Sequence, residues 1–281
     1  LKLSKEKFGI TVQSTNTKIA AFPISIETNE FNRLAQRALR SAETKRLKEN
    51  LRERRLIIGV DRIDYSKGLV ERLHAFRELL EIHLEHRNRV TFLQVAVVSR
   101  GDISRYQSLR QELDALAGRI NGQFADIDWT PVRYLNRTFT QATLGGFYRS
   151  SAVGLVTPVR DGMNLVAKEY VAAQDPEDPG VLVLSQFAGA ARELTEALIV
   201  NPYDVEEVAD ALHRALTMPL AERRARHQAS MAVLQNNSLA HWQASFLDAL
   251  HGSIIQTVST GSQVTETDNI STHQKPDQFL H

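Results

Sequence analysis

The sequence predicts an α/β protein whose body is a doubly wound, Rossmann-like parallel sheet over residues 55–218, and three features predict it. Short apolar runs rich in Val, Ile and Leu recur at Arg55–Val60, Val90–Val98, Val132–Leu135, Ala152–Val156, Val181–Leu184 and Leu198–Val200. They are continuous rather than alternating, the mark of strands buried on both faces. Stretches with helical spacing fall between them, so strand follows helix along the chain, and the connections are long enough to cross over a sheet.

Taken in order, residues 11–26 group apolar residues around polar turn formers and read as two short strands, in the manner of a hairpin. Residues 30–55 are helical in pattern and heavily charged, with a thin stripe of Ala35, Ala38, Leu39, Leu47 and Leu51. That pattern is expected as a solvated helix joining two bodies. The first strand of the sheet, ending at Val60, leads into the polar loop DRIDYSKG and then a helix over Leu69–His86 with Leu73, Phe76, Leu79 and Leu80 inward. The strand ending at Val98 leads into Ser99-Arg100-Gly101-Asp102 and a helix to about Asn121. A short helix around Leu144–Tyr148 precedes the fourth strand. Glu206–Leu216, Ala221–Leu234 and Leu239–His251 are three amphipathic helices that close the body. Beyond Gly252 the composition turns to Ser, Thr, Gln and Asp, and residues 252–281 are expected to be a flexible tail. The chain begins at Leu1, inside a strand-like pattern and without an initiator Met, so residues are expected upstream.

Bulk properties narrow the chemistry. With 42% hydrophobic and 24% charged residues over 281 positions, the chain has the apolar content of a globular protein with a real core. A net charge of +1 gives no general attraction to nucleic acid or to a membrane surface, so an anion site must be local. The absence of Cys excludes disulfides, thiolate metal sites and Cys nucleophiles, and agrees with an expected cytoplasmic location. No apolar run reaches the ~18 residues of a membrane span. No G-x-G-x-x-G, P-loop or H-E-x-x-H motif is present, and neither metal nor cofactor is expected. Asp126-Ile127-Asp128 is a lone D-x-D and is read as a turn.

The candidate chemistry lies in Ser151–Gln174. After the apolar run, Pro158, Asp161 and Gly162 break the strand, and Leu165, Val166, Lys168, Glu169 and Val171 resume with helical spacing. In an open parallel sheet such a junction lies at the carboxyl edge, where ligands bind. A helix start there presents bare N–H groups and a positive dipole end to an anion such as phosphate. Asn164 is placed to cap the helix, and Glu169, more than a turn on, is placed to accept hydrogen bonds from sugar hydroxyls. Arg62 and Lys67 emerge at the same edge, a planar clamp and a point charge suited to a diphosphate. Arg100 joins them from the next loop. Asp161 and Glu169 are eight positions apart, about 12 Å of helical rise, which is too far for the roughly 5–9.5 Å carboxylate pair of a glycosidase. Stabilisation of a leaving group is the chemistry these residues favour.

The segments DRIDYSKGL (61–69), SRGD (99–102), RDGMNLVAKEYVAAQ (160–174) and LSQFAGAA (184–191) resemble the trehalose-6-phosphate synthases, retaining sugar transferases of the two-domain GT-B fold, and the likeness runs from about Thr11 to Leu250. The resemblance implies transfer of glucose from UDP-glucose to glucose 6-phosphate, giving trehalose 6-phosphate and UDP, and a role in osmotic or desiccation tolerance. It implies that Arg62 and Lys67 contact the diphosphate and act in catalysis. It implies that Asp161, Gly162, Met163 and Asn164 hold the glucose hydroxyls, that Leu165 and Val166 give N–H groups to phosphate, and that Glu169 binds the ribose. Arg100 matches a position that grips the acceptor phosphate, and Phe139 falls near the uracil site. On this likeness residues 1–54 are the end of an amino-terminal acceptor domain with its linker helix, and residues 55–251 are the nucleotide-sugar domain. The chain is then expected to bind UDP weakly and not to transfer glucose alone. A homo-oligomer is expected, with no nucleic-acid or membrane partner. Two other readings stay open at this point: a GT-B transferase using ADP-glucose or GDP-glucose, and a non-catalytic nucleotide-sugar-binding or regulatory subunit.

Overall fold

The computed structural model describes residues 3–6, 9–12, 17–97 and 104–261, which fall into two compact units. The larger, Pro23–Leu239, contains a six-stranded parallel sheet. Its strands are β4 (Arg55–Arg62), β5 (Val90–Val97), β6 (Val132–Leu135), β7 (Val153–Val156), β8 (Val181–Ser185) and β9 (Leu198–Val200). They lie side by side in the order β6-β5-β4-β7-β8-β9, every neighbouring pair parallel. The chain winds outward from β4 in one direction, returns to its other side at β7, and winds outward again. The strand order therefore reverses between β4 and β7, which is where such sheets open a crevice.

Both faces of the sheet are covered, as the continuous apolar runs require. Because successive side chains point to opposite faces, Ile57 of β4 joins one core with Phe92, Val153 and Val183, while Leu56, Ile58 and Val60 join the other with Leu93, Val95 and Leu184. On the first face lie α3 (Leu69–Ile82), α4 (Ser104–Phe124) and α7 (Val205–Thr217), through Leu73, Phe76, Leu113, Leu116 and Leu212. The second face is covered by α1 (Thr28–Ala38), α2 (Ala42–Leu51), α5 (Gln141–Arg149), α6 (Leu165–Ala173) and α8 (Leu220–Asn236). Each side chain of this kind, once buried, stabilises the fold by roughly 1.5–3 kcal/mol before ordering costs.

The structure corrects the expectation of a solvated helix over residues 30–55. Two helices form there, and Phe31, Ala35, Leu47 and Leu51 are buried in the second core. Ser41 makes the break between them: its hydroxyl accepts the Thr44 N–H at 3.2 Å and starts α2. The charged residues occupy the outer faces, so a narrow stripe of apolar residues is enough to dock each helix.

The smaller unit joins the chain start to α9 (Leu239–Gly261). The strands β1 (Leu3–Glu6), β2 (Gly9–Val12) and β3 (Thr17–Ala20) form an antiparallel meander; β3 and the end of β2 fall in the stretch 11–26 where two strands are expected, and β1 precedes it. On α9, the Trp242 indole N–H donates to the Phe22 carbonyl at 3.0 Å, and Phe246 meets the Phe22 ring edge-on. The helix continues through Gly252 to Gly261, part of the stretch expected as a loose tail, since residues 253–260 contain neither Gly nor Pro to stop it. Residues 262–281 lie outside the described residues. None of the described helices is long and apolar enough to cross a membrane.

Candidate functional site

The loops that follow β4 and β7 meet at the carboxyl edge of the sheet, at the point of reversal. The Asp64 carboxylate accepts the Ser66 N–H and hydroxyl at 2.9 and 2.8 Å, which folds Tyr65–Lys67 into a single 3-10 turn. Gly68 then takes the left-handed region at φ +62°, and a side chain there would run into the Thr157 carbonyl oxygen as well as strain the backbone. The Ser66 carbonyl accepts both the Val159 and Arg160 N–H groups, at 2.9 and 3.1 Å, tying the two loops together.

Within this frame Lys67 Nζ lies 2.6 Å from Asp161 Oδ2, and both side chains are mostly shielded from solvent. The Asp161 carboxylate also accepts the Met163 N–H at 3.2 Å and the Asn164 amide at 3.1 Å. Asn164 in turn caps α6: its Oδ1 accepts the Ala167 N–H at 3.0 Å, and its backbone sits at φ 79°, a region Asn tolerates better than most residues. A third loop, after β8, is bound in by Gly189 N–H to the Asp161 carbonyl and Ala190 N–H to the Met163 carbonyl, at 2.9 and 2.8 Å. Gly189 is required at this seam, because a Cβ would strike the Gly162 carbonyl. The result is a turn, 161–164, held from three sides, with the first turn of α6 directly behind it. Leu165 and Val166 stand in that turn, where no intrahelical carbonyl reaches the N–H groups.

Of the residues expected in the site, the structure brings together Lys67, Asp161, Gly162, Met163, Asn164, Leu165 and Val166. Arg62 ends β4 with an exposed side chain at the same edge. Gly162 and Met163 are exposed, and the space beside the Gly162 Cα is open. Glu169 is one helical turn further along α6, where burial raises its carboxyl above the ordinary value against the pull of the Gln141 amide, which donates to it at 3.3 Å. Phe139 is half-buried, edge-on to Phe147 with the Arg137 guanidinium 4.4 Å above its ring. Arg100 and its loop lie outside the described residues. The D-x-D at 126–128 is a turn closed between Asp126 and Trp129, and Asp128 pairs with Arg52 and Arg54 at 2.6 and 2.9 Å.

Sequence reasoning missed two buried ionic devices that hold these elements. Under the loops, the fully buried Arg72 donates to Thr157 Oγ1 at 3.0 Å, to Gln94 Oε1 at 3.1 Å and to the Lys67 carbonyl at 3.3 Å. Its Nη1 is 2.8 Å from Asp61 Oδ2, an ion pair rather than a directed hydrogen bond, and burial holds the Asp61 carboxyl above its usual range against the attraction of Arg72. Behind α6, the fully buried Lys168 meets Glu193 at 2.7 Å and the Ile24 carbonyl at 2.8 Å. The signal in the sequence was a charge on an otherwise apolar helix face: Arg72 follows Leu69 by three positions, and Lys168 lies between Ala167 and Tyr170, which are buried.

A doubly wound sheet whose switch point carries a cation beside a capped helix start is an arrangement with which α/β proteins commonly bind phosphorylated ligands. Residues 1–252 match the glycosyltransferase family 20, and the chain belongs to that family. It is 55% identical over 229 residues to a trehalose-6-phosphate synthase of Klebsiella pneumoniae, covering 82% of this chain and 48% of that one. A trehalose-6-phosphate synthase of Escherichia coli is 50% identical over 254 residues, covering 90% of this chain and 52% of the other. Among solved structures, a UDP-forming α,α-trehalose-phosphate synthase from Burkholderia xenovorans in complex with glucose 6-phosphate superposes with TM-score 0.84 at 50% identity, over 86% of this chain and 54% of that chain. The Escherichia coli protein bound with UDP-2-fluoro glucose superposes with TM-score 0.83 at 48% identity, over 89% and 55%. The chain spans about half the length of the curated relatives it matches. The fold is accordingly α/β of the GT-B type, with its six-stranded parallel sheet and flanking helices.

Proposed function

We propose that this chain is the donor-binding part of a UDP-forming trehalose-6-phosphate synthase, which transfers glucose from UDP-glucose to glucose 6-phosphate with retention. The observation that carries the reading is the meeting of Lys67 with the Asp161–Asn164 turn in front of α6, 2.6 Å apart across the sheet's reversal. The likeness to a protein bound with UDP-2-fluoro glucose and to one in complex with glucose 6-phosphate supports it.

In this reading Arg62 and Lys67 grip the diphosphate, and the N–H groups of Leu165 and Val166 bind it from the helix start. Asp161, Gly162, Met163 and Asn164 hold the glucose hydroxyls, Glu169 the ribose, Phe139 the base, and Arg100 the acceptor phosphate. The bond from glucose C1 to the diphosphate oxygen breaks, and its electron pair stays on the departing phosphate. The acceptor hydroxyl oxygen bonds to C1 on the same face, and its proton passes to that phosphate. Negative charge grows on the diphosphate as the bond stretches, so cations and fixed amides that bind it most strongly there lower the barrier, and no side-chain nucleophile is needed.

Calorimetric titration of the chain with UDP, ADP and GDP tests the reading. UDP binds most tightly, and Arg62→Ala weakens it by at least tenfold, since a lost charge-assisted contact to phosphate costs about 1.5–3 kcal/mol. Equal affinity for the three nucleotides, or tighter binding of ADP or GDP, assigns a different donor. An unchanged affinity in Arg62→Ala removes Arg62 from the site.

A further inference from the structure

Far from the crevice, His83, Glu85, His86, Asp210 and His213 gather where the end of α3 and the following turn pack beside α7. α3 starts at the loop edge and runs back along the sheet for 14 residues, roughly 20 Å, so this cluster sits at the opposite, amino edge. We infer that His83 Nδ1, His213 Nδ1 and Glu85 form a binding site for a divalent transition metal of the zinc class, a clamp between α3 and α7 with no part in group transfer.

The distances fit such an ion. One ligand atom from each of the three residues can be chosen so that all lie within 4.8 Å of one another. Glu85 Oε1 is 3.4 Å from His213 Nδ1 and 3.7 Å from His83 Nδ1. Two ligands bonded to one tetrahedral zinc at about 2.0–2.1 Å stand about 3.3 Å apart, close to both distances from Glu85. The two imidazoles are stacked, with centroids 3.9 Å apart and planes 8° from parallel, and because a metal lies in the plane of each imidazole that binds it, one ring turns out of the stack to bring both Nδ1 atoms onto one ion.

The outer partner of His83 is also in place. Its Nε2 lies 3.4 Å from Asp210 Oδ1, the carboxylate–histidine arrangement that fixes the tautomer of a metal-bound imidazole. With Nε2 turned to Asp210, Nδ1 is the ring nitrogen that faces the Glu85 carboxylate, and it is the one placed to share an ion with it. Binding at His213 Nδ1 exchanges its 3.0 Å contact with His86 Nε2 for a metal–nitrogen bond. The donors are two nitrogens and one carboxylate, with the remaining position open to water. That set selects zinc, cobalt, nickel or copper over calcium or magnesium. The side chains of His83, His213 and Glu85 are 22%, 32% and 57% exposed, so an ion has a path in.

The test is a titration of the full chain with Co2+ followed by its visible absorption, and with Zn2+ followed by thermal unfolding. One equivalent of Co2+ gives the d–d bands of a nitrogen- and oxygen-ligated ion. Saturating Zn2+ at ~100-fold above its Kd raises the melting temperature by about 5–10 °C. His83→Ala and His213→Ala each abolish the bands and the shift, and Asp210→Asn weakens Co2+ about 10- to 100-fold through loss of orientation. Should the histidine variants fail to fold, Glu85→Gln, at an exposed side chain, carries the same expectation. Bands or a thermal shift that persist unchanged in His83→Ala and His213→Ala overturn the inference, as does a parent chain that shows neither at millimolar metal.

Discussion

Two polar layers meet at the switch point, and they use the same residue types to opposite ends. In the lower one, Asp61, Arg72, Gln94 and Thr157 are buried and turned toward one another, and Arg72 serves three acceptors besides its ion pair. In the upper one, Arg62 is exposed, Lys67 has one carboxylate partner, and Glu169 has only a long bond from Gln141 among the described residues. A charge that is buried and paired inside the protein fixes geometry and is closed to a ligand. A charge that keeps part of its capacity at the mouth of a crevice is the one available for recognition. The comparison therefore separates residues that position the site from residues that touch what binds there.

Arg72→Met is the sharpest way to break that division, because it leaves Asp61 buried without its cation. Half-removal of a buried pair costs about 3–5 kcal/mol, so urea unfolding shows a large loss of stability. Replacing both partners by apolar residues, Arg72→Met with Asp61→Leu, recovers most of it. A loss below about 1 kcal/mol in the single variant would mean that the lower layer does not fix the fold. Lys67→Ala, in the upper layer, gives the converse pattern. Asp161 keeps the Met163 N–H and the Asn164 amide, so stability falls by only about 1 kcal/mol. UDP affinity, read by calorimetry, falls tenfold or more. Equal losses of stability in Arg72→Met and Lys67→Ala would erase the distinction between the layers.

How much of this was legible beforehand follows from what each element must bury. The six strands were readable because burial on both faces writes an unbroken apolar run, as in LIIGV and VLVLS. The turn at 161–164 and its cap were readable because Pro, Asp, Gly and Asn before a helical repeat leave few backbone choices. The docking of α1 was not, since Phe31, Ala35 and Ala38 form a stripe only one residue wide among charges. Its partner Tyr148 lies more than a hundred residues away, and only the fold brings the two rings together at 6.4 Å. Arg72 and Gln94 are each polar residues within apolar runs, a signal that the reading of the sequence passed over. Their pairing depends on β4 and β5 being neighbours with α3 over them, which no local pattern records.

Glu169→Gln has the smallest effect on the fold and sharpens the comparison most finely, because it changes charge at nearly constant shape. Burial raises the folded-state pKa of this carboxyl above its unfolded value. Between those two values the folded chain holds a proton that the unfolded chain has lost, so the group's contribution to stability declines as pH rises through that window. The amide introduced by the substitution carries no such penalty and can still accept the Gln141 side-chain N–H. The difference in melting temperature between variant and parent therefore moves in the variant's favour as pH climbs from about 4.3, and levels off once the parent's carboxyl is fully ionised. UDP affinity at neutral pH moves the other way, since a neutral amide oxygen is a weaker acceptor for ribose hydroxyls than a carboxylate. A variant with unchanged UDP affinity makes Glu169 a spectator of the ribose. A pH-independent difference in melting temperature means that the carboxyl titrates alike in both states, which would place it with the solvated charges of the surface rather than at the crevice.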